Sequence, residues 1–164
     1  MQAAGRWRLF VEIPFIKEFH QEKRGVTILA TVQTKYLGDL RTESIHLQSG
    51  NRLVTDAPTD NQGRGESFSP TDLVATAYGA CVFTIMGIAA KTHGFNIDGA
   101  EVETTKVMGT EPRRIVELIT QFTFPHNDYS AKHKKILELA AKECPVYNSL
   151  HPDLKKTVTF KYRE

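Results

Sequence analysis

The chain is poor in cysteine, with two in 164 residues, too few for a disulfide framework in a domain of this size. No charge of one sign dominates: 21 lysines and arginines face 19 aspartates and glutamates, a formal charge of +2. That balance gives no electrostatic footprint for nucleic acid. The lysine clusters Lys132, Lys134, Lys135 and Lys155, Lys156 lack the interleaved aromatics of a single-strand binding surface. The six histidines are scattered, with no His-x-x-x-His pair beside a carboxylate, so no metal site is expected. The stretch from Arg6 to Val11 has no long apolar segment, and the charges of Glu12, Lys17 and Glu18 come directly after it. No secretory leader is read there, and a reducing cytoplasm is the expected location.

What remains is the composition of one soluble domain, 40% apolar and 24% charged. Residues 1–25 show no period and end in the polar run His20 to Gly25, so they read as an N-terminal extension to a domain at 26–164. From Val26 the pattern is strand-like, with Val26, Ile28, Ala30 and Val32 alternating with their neighbours. Turn signals at Gly38-Asp39 and Ser49-Gly50-Asn51 divide off a second strand through Ile45 and Leu47 and a short third at Leu53-Val54. A polar loop fills 56–69. Ser69, Pro70 and Asp72 are helix-start residues, and Gly94 ends the long helix they open. Strands come next at 100–108 and 115–124, the second with Val116, Leu118, Thr120, Phe122 and Phe124 on one face. Ser130 caps a second helix through about Glu143, Cys144-Pro145 interrupts it, and Val158, Phe160 and Tyr162 mark a closing strand. The class is α+β, with antiparallel sheet wrapped around helices and no βαβ alternation.

Leu73 to Ala90 is the one long uncharged run, eighteen residues at the length threshold of a membrane span. It is rich in Ala, Gly and Thr, is closed by Asp72 and Lys91, and stands alone in a polar chain. A buried helix is the better reading, and a monomer of this size can hardly surround it, so homodimerisation rather than a membrane is expected to cover it. Cys81 lies in the middle of this helix, where a thiol is more often a small core residue than a nucleophile. Cys144 falls at a helix break, where free backbone N–H groups can lower a thiol pKa. The two are too far apart for a Cys-x-x-Cys motif, so any pairing depends on the fold.

Five ordered motifs carry a resemblance: Tyr36-Leu-Gly-Asp-Leu-Arg41, Gly63-x-Gly65, Ser69-Pro70-Thr-Asp-Leu73, Ala77-Tyr-Gly-Ala-Cys81 and Glu143-Cys144-Pro145-Val146. Over residues 26–163 the chain resembles the osmotically inducible protein C and organic hydroperoxide resistance (OsmC/Ohr) superfamily. The resemblance implies an intertwined homodimer whose paired central helices lie against sheets of both chains. It also implies a thiol peroxidase of oxidative stress defence that needs no cofactor. Cys81 would attack a hydroperoxide and become a sulfenic acid, Cys144 would resolve it as a disulfide, and a dithiol such as a lipoyl protein would restore both thiols.

By the same resemblance an arginine from the N-terminal strands stabilises the thiolate and orients the peroxide. Arg41 is the candidate, with Arg52 and Arg64 as alternatives. The hydroperoxide branch has a glutamate after the helix-opening proline, where this chain has Thr71. Asp72 projects opposite Cys81, and Thr71 lies about 15 Å from it along the axis. Help from that end would therefore have to reach a partner's site, and Glu66 is a second substitute. The rival reading is a non-catalytic dimeric protein holding a small apolar ligand on the same fold. A sulfur-transfer or thiol-modifying enzyme using Cys144 alone is a third.

Overall fold

Capping residues and turn chemistry set most of the element boundaries in the computed structural model, which describes residues 21–23, 26–28 and 30–164. Residues 1–20, 24 and 25 of the expected extension lie outside the described residues. Two short strands, β1 (Gln21–Lys23) and β2 (Val26–Ile28), pair antiparallel. Next comes a three-stranded antiparallel sheet made of β3 (Val32–Gly38), β4 (Arg41–His46) and β5 (Arg52–Asp56). The alternation beginning at Val26 thus divides between two sheets, because β2 pairs back on β1 and β3 forward on β4. The β3–β4 turn holds Gly38, Asp39 and Leu40 at φ of 95°, 49° and 61°, a left-handed region that glycine enters freely, aspartate more readily than most, and leucine only at a cost. The Leu40 N–H donates to the Tyr36 hydroxyl at 3.1 Å and ties the turn down.

Helix α1 (Pro70–Thr92) begins where the sequence signals place it. Ser69 Oγ accepts from the Asp72 N–H at 3.1 Å, while Asp72 Oδ2 accepts from the Ser69 N–H at 2.7 Å. This capping box satisfies two orphan donors, each such cap worth roughly 1 kcal/mol. Gly94, at φ 76°, takes the chain out of the helix. Strands β6 (Glu101–Thr110) and β7 (Arg113–Phe124) then form an antiparallel hairpin.

Beyond the hairpin the expectation of purely antiparallel pairing is corrected. Helices α2 (Ala131–Ala140) and α3 (Pro145–Ser149) carry the chain back, so β8 (Lys155–Tyr162) starts beside Glu117 and runs parallel to β7 as far as Phe124↔Tyr162. The second half of the domain is therefore a β7–α2–α3–β8 crossover. Helix α2 also stops at Ala140, three residues short of Glu143. Cys144 is extended (φ −64°, ψ 124°) ahead of Pro145, because a residue before proline is pushed out of the helical region.

The core lies between α1 and the inner face of the β6–β7–β8 sheet. Leu118, Thr120, Phe122 and Phe124 are buried on that face, as the alternation predicts, against Tyr78, Val82 and Met86 of α1 and Leu137 of α2, whereas Val116, expected with them, is only partly buried beside the register shift at Val107 and Met108. Gly79 allows α1 to come close to β6, since a Cβ there would sit 3.2 Å from Thr104 Oγ1. The other side of α1 is poorly covered. The helix is long and apolar enough to cross a membrane, yet only 33% of its most apolar stretch is buried in the single chain. Ile88 is 58% exposed there. Val32, Leu37 and Leu53 of the β3–β4–β5 sheet are exposed as well, and that sheet makes no extensive contact with α1.

Candidate functional site

The packing of α3 on α1 brings the two cysteines together. Cys81 is partly buried and Cys144 fully buried, and both are free thiols. Cys144 stands at the N-cap of α3, where its Sγ accepts the Tyr147 N–H at 3.4 Å. Burial, then hydrogen bonding with the Cys81 thiol, pushes the Cys144 pKa above its ordinary value, while the N–H groups of Tyr147 and Val146 pull it down. The helix break thus supplies the expected donors, but loss of water around the sulfur outweighs them. Two thiols in contact can pass between dithiol and disulfide.

One turn before Cys81, Tyr78 is fully buried in the same core, its ring centroid 6.2 Å from that of Tyr147. Its hydroxyl has no hydrogen-bond partner. Burial, then Tyr147 and Cys144, pushes its pKa up to about 12. Sequence reasoning placed Tyr78 within a motif and gave it no role. Its three-residue spacing from Cys81, which puts both on one helix face, is the signal that could have found it.

Arg41 opens β4 directly across from Asp56, the last residue of β5. Nε donates to Asp56 Oδ1 at 2.6 Å, and Nη2 donates to Asp56 Oδ2 at 2.8 Å and Glu66 Oε2 at 2.6 Å. The pKa of Arg41 is raised by Asp56 and then Glu66, and Arg41 in turn holds the Asp56 carboxyl below its usual range. Asp56 is only 2% exposed and also accepts the Glu66 N–H at 3.2 Å. In the single chain neither thiol is among the hydrogen-bond partners of Arg41. Of the alternatives, Arg52 pairs with Glu43 at 2.7 Å and Arg64 with Asp39 at 2.8 Å, both exposed.

Glu66, weighed as a substitute for the missing glutamate, therefore does reach the arginine. Thr71 does not, because its Oγ1 accepts from Lys106 Nζ at 2.6 Å. The same ammonium donates to Ser69 Oγ at 2.9 Å and pairs with Asp72 Oδ1 at 2.7 Å. Sequence reasoning missed both Asp56, read as the first residue of a loop, and Lys106. The hairpin register pointed to Asp56; nothing in the alternation of β6 marked Lys106.

Ionised Asp56 stabilises the folded chain, and that contribution is complete above the carboxyl's ordinary value of 3.8. It is lost as pH falls through the lower folded-state value. Asp56→Asn is therefore expected to be less stable at neutral pH and to lose less stability on acidification. Circular dichroism melts between about pH 5 and pH 2 measure the two slopes.

An open groove of about 820 Å³ runs beside α1, lined by Phe68, Ala80 and Phe83 together with Glu66 and Lys106. Among the described residues no group of three or more His, Cys, Asp or Glu side chains could hold a metal ion.

The family model described as OsmC-like protein matches residues 63–159. No curated protein matched the chain. A solved structure of a proposed osmotic stress induced and detoxification response protein from Psychrobacter arcticus 273-4 is 47% identical. It covers 80% of this chain and 95% of its own, with a TM-score of 0.76. An OsmC like protein from Mycoplasma pneumoniae is 18% identical over 79% of this chain and 94% of its own, with a TM-score of 0.68. An organic hydroperoxide resistance protein from Legionella pneumophila is 17% identical over 82% and 98%, with a TM-score of 0.63. The last two share the fold.

Proposed function

The chain belongs to the OsmC-like protein family, and from that premise we propose that it is a thiol-dependent peroxidase that reduces organic hydroperoxides. The observation that carries this reading is the meeting of Cys81 and Cys144 in one core, although they come from different helices and no local motif links them. Cys81, the less buried of the two, is the peroxidatic residue. Its thiolate attacks the terminal peroxide oxygen, the O–O bond breaks, an alcohol leaves and a sulfenic acid remains. Cys144 resolves it as a disulfide, and an external dithiol, a lipoyl protein or similar, returns both thiols.

Arg41 supplies the cation that a half-buried thiolate needs, oriented by Asp56 and Glu66. Since Arg41 stands on a sheet that makes no extensive contact with its own α1, it serves the thiol of a second copy in a homodimer, whose sheet also covers the apolar side of α1. The apolar residues packed around Cys81 favour an organic peroxide over hydrogen peroxide. The reaction belongs to oxidative stress defence in a reducing cytoplasm.

The test is turnover of cumene hydroperoxide and hydrogen peroxide by the reduced protein with a dithiol, followed by mass spectrometry of the oxidised product. The expected result is faster consumption of the organic peroxide and one intramolecular Cys81–Cys144 disulfide. A protein that consumes neither peroxide and never links its cysteines overturns the proposal and favours a ligand-binding role.

A further inference from the structure

The resolving step makes a demand that Arg41 and its carboxylates do not meet. Cys144 has to give up a proton to attack, and it does so fully buried and without a cationic side chain among its hydrogen-bond partners. The groups facing it are Cys81 and Tyr78 from α1 and Tyr147 from α3. Beyond them, Lys156 of β8 sits over the Tyr147 ring at 4.6 Å. In this set the buried side-chain donor without a partner is the Tyr78 hydroxyl.

A buried hydroxyl without a partner is costly, and replacing it with an apolar group is nearly neutral or stabilising for the fold. Packing alone would be served as well by phenylalanine. The position is specific too. Tyr78 precedes Cys81 by three residues, which on a regular helix is about 60° of rotation and about 4.5 Å of rise. Its ring packs towards Tyr147, whose amide already donates to Cys144 Sγ. Tyr78 thus shares the core with Cys144 and lies close enough for the two groups to influence each other electrostatically.

We propose that Tyr78 is the hydrogen-bond donor for resolution: its hydroxyl turns onto the Cys144 sulfur as that thiol loses its proton and stabilises the attacking thiolate. This rests on the peroxidase reading. The step is balanced without a further reactant. Cys144–SH and Cys81–SOH give the Cys81–Cys144 disulfide and one water; the S–O bond of Cys81 breaks, the S–S bond forms, and the Cys144 proton leaves with the hydroxide. Cys81 sulfur is reduced and Cys144 sulfur oxidised. Because Tyr78 ionises only at high pH, it remains a donor wherever the enzyme works.

Tyr78→Phe tests this. Rapid-quench mass spectrometry of the reduced full-length protein with one equivalent of cumene hydroperoxide resolves sulfenic acid and disulfide separately. Sulfenic acid should form at the wild-type rate in the variant. Disulfide formation should slow by roughly ten- to a hundredfold, the loss of one hydrogen bond to a charged group, and its pH midpoint should move upward. Tyr147→Phe, which keeps the backbone donor, should resolve normally. If Tyr78→Phe resolves at the wild-type rate with an unchanged pH profile, or if Tyr147→Phe alone is slow, the Tyr78 role is overturned while the peroxidase stands. If the wild type itself forms neither sulfenic acid nor disulfide, the peroxidase reading falls and the Tyr78 role falls with it.

Discussion

Cys81→Ser is expected to lose dithiol-dependent hydroperoxide turnover by about a thousandfold or more, as deletion of an essential nucleophile does. A serine hydroxyl is close to thiol in size, so the variant should keep its fold. The partner variant separates the two roles. Cys144→Ser keeps the nucleophile and, with one equivalent of peroxide and no added dithiol, should stop at the Cys81 sulfenic acid. With excess peroxide its Cys81 should proceed to sulfinic and sulfonic acids, seen as successive oxygen additions on the Cys81 peptide. Equal, partial losses in both variants would instead mark the cysteines as packing residues. A Cys81 sulfenic acid that, without added dithiol, disappears from Cys144→Ser as fast as from the wild type would remove the resolving role of Cys144.

Phe122→Ala should produce the largest loss of stability, roughly 3 to 5 kcal/mol. The side chain is fully buried on the inner face of β7. Its ring meets Phe83 of α1 edge-on at 5.1 Å and stacks on Phe160 of β8 at 5.8 Å. Truncation therefore opens a cavity where α1 and two strands converge, and the sheet behind it has little freedom to collapse into the space. In a chain of this length the melting temperature should fall by roughly 10 °C, measured at a fixed protein concentration. Ile119→Ala, on the 40% exposed side of the same strand, is the control and should change it little. Similar losses at the two positions would mean that the outer face is as tightly packed as the inner one.

Where a boundary is set by local chemistry, it can be read from the residues alone. Ser69, Pro70 and Asp72 start α1, Gly94 ends it, and the alternation from Leu118 to Phe124 faces the core. The family motifs added the cysteine pair. What stayed hidden depends on residues distant in sequence. The parallel seating of β8 on β7 results from how α2 and α3 return the chain, which no two-residue period encodes. The double carboxylate grip on Arg41 needs both the β4–β5 register and the path of the loop after β5. The pKa of Cys144 turned on burial, so the favourable local N–H groups gave the wrong sign.

The crossover also sets what oxidation does to the polypeptide as a whole. Cys81 is inside α1, Cys144 lies after α2, and β6 and β7 run between them. A bond between the two sulfurs would convert this stretch into a covalent ring, and a ring of such a size costs the denatured chain roughly 4 kcal/mol of conformational freedom. Catalysis would then alternate between a linear chain and a circularised one. The molecule would be hardest to unfold in the interval after it has met peroxide and before a reductant arrives.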